Sequence, residues 1–432
     1  MAKTDPPRDP YPIRPITEEE FDSFQLVDQH AFHGGPLNAD RRQRTLSLLE
    51  LDRSLAAFDP AAGGPVGITC VYSHQLTVPG GSLPAAGVTW VGVLPTHRRR
   101  GVLRSLMRRQ LADISAAGRE PLAVLWASEA VIYGRYGYGA ASWHLALEAH
   151  RGEGALSAGG ARLLADSGVR LRLISPDGAL AELAKVYDTV RVSRPGFFER
   201  DDRWWQRAIY DPEDNRAGAS PLRCLVAEDD SGPRGYALYS GLGRWDDANF
   251  LADGMISIRE LIAVDAAASA ALWSDLLSRD LATEFRANER PIDDPVLSLL
   301  ADPRRVRPRL SDGLWVRLVD VPRALSGRRY SAPADLVIEV RDRELPANEE
   351  RWRLTTQASG GHPDGLAATC SPATGPADLT LDVAELGAAY LGGTRLGTLA
   401  EAGLVTETRP GSVRQLSAAM AWDPAPWCPM IF

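Results

Sequence analysis

Trp90-Val-Gly-Val-Leu-Pro-Thr-His-Arg-Arg-Arg-Gly-Val-Leu-Arg104 is the stretch on which the fold turns. An apolar strand delivers the chain into a short arginine-rich loop, and the loop opens a helix. That helix is predicted from Gly101 to about Ala116, because Val102, Leu103, Leu106, Leu111 and Ile114 fall on one stripe while Arg108 and Arg109 face away. A helix start leaves its first amides unpaired and carries a partial positive charge, a combination that cradles a pyrophosphate. Gly101 lets the backbone approach such a ligand, and the arginines add charge-assisted contacts to phosphate oxygens. A lone basic turn before an amphipathic helix is usually just a solvated turn. Here the strand before it, the helix after it and the stripe that begins at the loop point to an anion site.

Upstream, Thr17-Glu-Glu-Glu20 fits a capping box, and Phe21, Phe24, Leu26 and Val27 follow at helical spacing. The first ordered element therefore begins near Ile13. Strands are predicted over Pro65–Val78 and Gly87–Val93, joined by the turn Pro79-Gly80-Gly81. Downstream, Leu122–Trp126 and Trp143–Ala149 read as strands of the same mixed α/β unit. A second unit runs from about Val169 to Pro308, with strands at Leu222–Glu228, Tyr236–Gly241 and Ile256–Val264 and a helix at Ala266–Ser278. Its strand-into-helix step repeats that of the first unit and suggests an internal duplication. A third unit begins near Asp312, with strands at Leu314–Val319, Asp335–Val340 and Ala377–Leu381 and helices at Val383–Tyr390, Leu396–Glu401 and Ser412–Ala421. The tail Trp422-Asp-Pro-Ala-Pro-Trp-Cys-Pro-Met-Ile-Phe432 holds three prolines and must run extended.

A chain of 432 residues exceeds one core and implies about two to four domains. Its composition, 44% hydrophobic and 24% charged, is that of a globular protein, and no apolar run reaches the roughly 18 to 20 residues of a membrane helix. Met1 to Arg14 is polar and Pro-rich, with nothing resembling a signal peptide, so a cytoplasmic protein without a membrane partner is expected. The net charge of -8 argues against a nucleic-acid partner and mildly favours cationic substrates. Cys70, Cys224, Cys370 and Cys428 stand far apart with no histidine at ligand spacing, so no metal site is expected. Lysine occurs only at Lys3 and Lys185, a bias of base composition rather than of function.

The segment Arg98-Arg-Arg-Gly101-Val-Leu103 resembles the coenzyme A motif of GNAT-fold acetyltransferases, Arg/Gln-x-x-Gly-x-Gly/Ala, departing from it at Leu103. Pro95-Thr-His-Arg-Arg-Arg-Gly101 with Leu103, Ala127-Ser-Glu-Ala-Val-Ile-Tyr-Gly-Arg-Tyr-Gly-Tyr-Gly139 and the bare terminal Phe432 are similar to the Eis (enhanced intracellular survival) branch. The resemblance implies an α/β fold, mixed α+β in arrangement. It divides the chain into a disordered segment 1–14, a catalytic GNAT domain 15–155, a degenerate GNAT-like domain 156–308 and a sterol-carrier-protein-like domain 309–432. It also implies a homo-hexamer, acetyl-CoA as co-substrate and an amine acceptor of the aminoglycoside, polyamine or lysine type. By the same resemblance the terminal carboxylate of Phe432 is the base and Tyr133 is the acid. Val91, Gly92 and Val93 would hold the pantetheine arm, with the Val93 amide facing the thioester. Arg98, Arg99, Arg100, Gly101, Val102, Leu103 and Arg104 would surround the pyrophosphate, and Ser128 and Glu129 would lie alongside. Eis members carry an acidic residue next to the end, where this chain has Ile431.

The residues alone leave alternatives open. Tyr133, Tyr136 and Tyr138 share one Gly-rich turn, and any of them could be a core tyrosine. Trp427, Met430, Ile431 and Phe432 could dock the tail for stability alone. Phe32, after the first helix, is a candidate for the acceptor pocket. His97 reads as a phosphate neighbour or an exposed turn residue, and no motif singles out the other six histidines. The second unit's loop, Asp265-Ala-Ala-Ala-Ser-Ala, lacks Gly and Arg, so that copy is expected to bind no coenzyme A. Two rivals stand beside the transferase: a hydrophobic-ligand-binding protein acting through the third domain, and a coenzyme A sensor without turnover.

Overall fold

A computed structural model describes residues 11–358 and 365–432. Most of the segment expected to be disordered, and His362, lie outside these residues, while Ile13–Pro15 forms a strand (β1). The other strands in chain order are β2 (Leu55–Asp59), β3 (Gly64–Val78), β4 (Gly81–Val93), β5 (Leu122–Trp126), β6 (Gly139–Ala140), β7 (Trp143–His150), β8 (Arg170–Ile174), β9 (Arg223–Asp229) and β10 (Gly232–Leu242). They continue with β11 (Gly254–Ala263), β12 (Ala282–Pro291), β13 (Arg309–Asp312), β14 (Leu314–Leu318), β15 (Asp335–Arg341), β16 (Arg351–Gln357), β17 (Ala367–Pro372), β18 (Leu379–Asp382) and β19 (Val405–Glu407). Three sheets result, in the orders β1-β2-β3-β4-β5-β14-β6, β13-β7-β12-β11-β10-β9-β8 and β17-β16-β15-β18-β19.

The first two sheets share one plan, which supports the duplication. Each has four antiparallel-paired strands, then a parallel step (β4 to β5, β11 to β12), then two further strands. The sixth position, however, is filled across the unit boundary. Trp143–Ala149 was expected in the first sheet, but β7 pairs with β12 and β13 in the second. Leu314–Val319 was expected in the third unit, but β14 pairs with β5, from Leu314↔Trp126 to Leu318↔Leu122. The reason is burial: Leu122 to Leu125 of β5 are buried on both faces, so both edges need a partner, and Leu314, Val316 and Leu318 supply an apolar one.

Helices cover both faces of the first sheet. The capping box forms, with the Glu20 carboxylate accepting the Thr17 N–H at 3.0 Å, and α1 (Phe21–Phe32) follows. Phe21, Phe24 and Val27 pack on Ile68, Cys70 and Tyr72 of β3, whereas Leu26 points to solvent. α2 (Ala39–Leu48), absent from the sequence reading, lies beyond α1. α3 (Val102–Ala117) covers the other face, where Met107, Leu111 and Ile114 meet Val71 and Val88. It packs so closely that a Cβ on Gly67 would come within 2.5 Å of Val102. α4 (Ala130–Tyr133) and α5 (Ala158–Ala165) are short connectors. In the second unit α6 (Pro176–Arg191) and α8 (Ala266–Leu277) take the two faces, and α7 (Asp202–Ile209) reaches back to the first, burying Trp204 in its core.

The third unit is locked to the first by a buried ion pair, Arg317 on β14 with Asp342 after β15 at 2.7 Å. Among the described residues no helix is long and apolar enough to cross a membrane, and all four cysteines are free thiols.

Candidate active site

Strands β4 and β5 pair in parallel only from Ala85↔Leu122 to Gly87↔Val124 and then part, while β3 follows β4 as far as Gly67↔Val93. A bulge interrupts that ladder at Trp90, whose φ is 55°. Because the Leu94 N–H bonds the Val66 carbonyl at 2.9 Å, the adjacent Val93 N–H turns to the opposite edge, into the gap left by β5. The gap thus has one wall of free strand backbone built from Val91, Gly92 and Val93.

At its end lies the mouth of α3. Arg99 (φ 63°) and Gly101 (φ 88°) reverse the chain, and Gly101, the residue before the helix, offers no side chain to cap its first amides. Arg98, Arg99, Arg100 and Arg104 are exposed and form no ion pair among the described residues; Arg98 reaches only the Ala31 carbonyl, at 3.4 Å. Uncapped amides beside unpaired guanidinium groups are the donor set a pyrophosphate requires. Val102 is buried beneath the mouth and Leu103 half-buried beside it. His97 corrects the sequence reading: it is buried, held between Thr96 Oγ1 (2.9 Å) and Asp59 Oδ2 (3.1 Å), and braces the loop from below.

Ser128 and Glu129 are exposed on the loop after β5, and Tyr133 closes α4 beneath them. The three tyrosines of this turn differ in surroundings. The Tyr138 hydroxyl is fully buried with no hydrogen-bond partner among the described residues, which makes it a packing residue. Tyr136 lies near Glu344 and the surface arginines. Tyr133 is buried against Tyr138, with ring centroids 6.3 Å apart; burial raises its phenol pKa, opposed by a hydrogen bond with Ser128.

The tail comes to the same gap. The Trp126 indole, at the end of β5, donates to the Met430 carbonyl at 3.0 Å, and Thr89 Oγ1 on β4 donates to the terminal carboxylate of Phe432, also at 3.0 Å. The last three residues therefore bridge the two strands where they separate. The Phe432 ring sits on His74 (5.1 Å) and Phe198 (5.3 Å), while Ile431 is exposed. Burial holds His74 neutral, with its pKa lowered to about 3.

Beside the carboxylate is a cavity of about 250 Å³ lined by Phe32, Asp28, Thr45, Thr89, Trp90 and Arg207 among others. Asp28 was missed by the sequence reading. Its carboxyl has no partner among the described residues, and burial raises its pKa to about 6. A signal was available: Phe24, Asp28 and Phe32 stand four apart on one helix face, placing an acid on an apolar stripe. Arg207 could not be found that way, since α7 reaches the cavity from another domain.

Residues 12–141 match one GNAT acetyltransferase domain family, residues 196–318 a second, and residues 321–429 a sterol carrier protein domain. An uncharacterized N-acetyltransferase of Streptomyces coelicolor is 42% identical, covering 96% of this chain and 98% of the relative. N-acetyltransferase Eis of Mycobacterium tuberculosis is 32% identical over 94% of this chain and 96% of its own length. The chain belongs to the Eis family of N-acetyltransferases. The crystal structure of Eis1 from Mycobacterium abscessus agrees, with 35% identity, a TM-score of 0.78 and coverage of 98% of this chain and 100% of that one. The protein is accordingly an acetyltransferase with tandem GNAT domains and a sterol-carrier-like domain, and that family chemistry uses acetyl-CoA.

Family membership makes the second GNAT copy informative, because its own gap is closed. β11 and β12 pair from Gly254↔Ala282 to Ile258↔Ala287 and then part, as β4 and β5 do. Into that opening the Arg290 guanidinium donates to the Leu261 carbonyl (2.7 Å), and the Trp427 indole of the tail donates to the Glu289 carbonyl (2.6 Å). Asp265 caps α8 itself, its Oδ1 accepting the Ala268 N–H at 2.8 Å and its Oδ2 pairing with Arg234 at 2.6 Å.

Proposed function

We propose that the first GNAT copy transfers the acetyl group of acetyl-CoA directly to an amine, with the Phe432 carboxylate as base and Tyr133 as acid. The observation that carries this reading is the terminal carboxylate resting on Thr89 where β4 leaves β5. The pyrophosphate would lie at Gly101 among Arg98 to Arg100 and Arg104, with Val102 and Leu103 beneath it and Ser128 and Glu129 alongside. The pantetheine arm would run along Val91 to Val93.

An amine attacks a thioester only through its free lone pair. The carboxylate of Phe432 takes the proton released as the carbon–nitrogen bond forms, while the Val93 N–H stabilises the carbonyl oxygen as it gains charge. Tyr133 then gives its phenolic proton to the sulfur as the carbon–sulfur bond breaks. Burial suits that role, because it keeps the phenol protonated until the thiolate appears. Asp28 and the terminal carboxylate suit an acceptor that arrives as an ammonium ion, within the aminoglycoside, polyamine or lysine range implied by the family. On the same resemblance the assembly is a homo-hexamer, which light scattering on the purified protein tests.

The experiment is an acceptor screen read by thiol release, run on the wild type, Tyr133→Phe and a chain extended by one Gly after Phe432. The extension should slow transfer about 10²–10⁴-fold, the usual weight of a general base, with coenzyme A affinity within twofold of the wild type. Full activity in the extended chain overturns the terminal base. A coenzyme A sensor would bind the thioester and release no thiol with any amine, and a hydrophobe binder would bind neither.

A further inference from the structure

The cavity beside Phe432 is lined by one guanidinium, that of Arg207, as well as by Asp28 and the C-terminal residue. Arg207 lines this cavity and also the adjoining one of about 750 Å³. Its helix is anchored by Trp204, whose ring packs on Tyr72 at 5.2 Å and His74 at 5.0 Å. One turn on, the Arg207 guanidinium lies 5.9 Å from the centre of the Trp204 ring and reaches the Ile431 carbonyl at 3.5 Å.

What sets Arg207 apart is that it lines the cavity beside Phe432 and yet has no carboxylate within ion-pair distance among the described residues. Of the five other arginines of the larger cavity four are committed, Arg44 to Asp40 (3.1 Å), Arg200 to Glu260 (2.6 Å), Arg203 to Asp201 (2.8 Å) and Arg259 to Asp211 (3.1 Å), while Arg41 donates to the Asn215 side-chain oxygen (3.3 Å) and does not line the smaller cavity. Arg207 has no carboxylate partner among the described residues, not even the terminal one, and its neighbour Ile431 supplies none. A second ammonium placed against it would meet a like charge. A carboxylate or phosphate would meet a planar donor fork that no carboxylate of the described residues already occupies.

Resting on the acetyltransferase reading above, we propose that Arg207 makes the enzyme select amines that also carry an anionic group. The ammonium lies between Asp28 and the terminal carboxylate, and the anion lies on Arg207. The acceptors this favours are amino-acid-like amines rather than pure polycations.

The test compares kcat/KM for four acceptors that share one aminoalkyl arm: γ-aminobutyrate, its carboxamide, aminopropylphosphonate and the diamine putrescine. Wild type should favour at least one acid over the carboxamide by about tenfold or more, with the two acids showing whether carboxylate or phosphonate is read. Arg207→Gln should bring the acid-to-carboxamide ratio to within about twofold of unity, and Arg207→Glu should turn the preference towards putrescine. A wild-type preference for putrescine or the carboxamide overturns the proposal. So does a loss in Arg207→Gln that is equal for all four acceptors, since that marks an arginine that only positions the tail. Thiol release with some amine but without this pattern defeats this proposal alone, whereas no thiol release with any amine defeats the transferase reading beneath it.

Discussion

The two GNAT copies open the same gap and put opposite things in it. In the first, β4 and β5 separate and leave backbone, uncapped helix amides and unpaired arginines facing solvent, with a carboxylate at the edge. In the second, Arg290 bonds the Leu261 carbonyl, the Trp427 indole bonds the Glu289 carbonyl and Asp265 caps α8 at the Ala268 N–H. Even the nearby acids differ. Glu260 is held by Arg200 and Tyr236, at 2.6 Å each, whereas Asp28 has no partner among the described residues. A gap left unsatisfied is a site, and the same gap satisfied internally is a joint. One tail serves both, stapling the second gap with Trp427 and arming the first with Phe432.

The largest expected effect comes from separating those two jobs. Adding one Gly after Phe432 moves the carboxylate and leaves Trp427 in place, so transfer should fall about 10²–10⁴-fold without a change in melting temperature. A melting shift of several degrees with little loss of rate would mean that the end of the tail is a staple in both copies.

Arg290→Met tests the joint from the other side. Asp294 is buried at 2% exposure and pairs with Arg290 at 2.7 Å, so the variant strands a buried charge. The expected cost is about 3–5 kcal/mol of stability, read by denaturant unfolding, with no second coenzyme A bound in calorimetry. Binding of a second equivalent would show that the plug alone silences this copy.

Next in size is the mouth of the first gap. Gly101 sits at φ 88°, so Gly101→Val combines backbone strain of about 1–2 kcal/mol with a branched side chain where the pyrophosphate would lie. Coenzyme A affinity should drop at least about tenfold in a thermal-shift titration. Unchanged affinity would place the diphosphate elsewhere.

What the sequence disclosed follows from how local each feature is. The loop at Gly101, the capping box at Thr17 and α8 after Val264 depend on neighbours within a few residues, and all were legible. The crossing of β7 and β14 was not, because an alternating apolar strand states that it needs a partner and not which one. Tail docking was legible as apolar residues among prolines, but its use of Trp427 in one copy and Phe432 in the other needs the register of both sheets. Asp28 was legible in principle, on the face of Phe24 and Phe32. Arg207 was not, since its lack of a partner is a fact about distances.

The smallest expected effect concerns that unpaired acid. Asp28 rises from 3.8 to about 6 on folding, through burial alone. Below pH 3.8 both folded and unfolded chains hold the proton, and the group has no effect on stability. As pH rises, the unfolded chain releases a proton that the folded chain keeps, so stability drains away until the folded group ionises near pH 6. Discounted for its partial exposure, the cost at neutral pH is about 1–2 kcal/mol. Asp28→Asn should therefore melt higher than wild type at pH 7.5, the gap closing towards pH 4, while its kcat/KM for an amine falls. The paired acid Glu260 on β11 of the second copy should behave oppositely: Glu260→Gln breaks a buried pair with Arg200 and must destabilise. If Asp28→Asn gains nothing at neutral pH, the first gap stores no cost in its acid, and the contrast between a satisfied joint and an unsatisfied site holds for its backbone only.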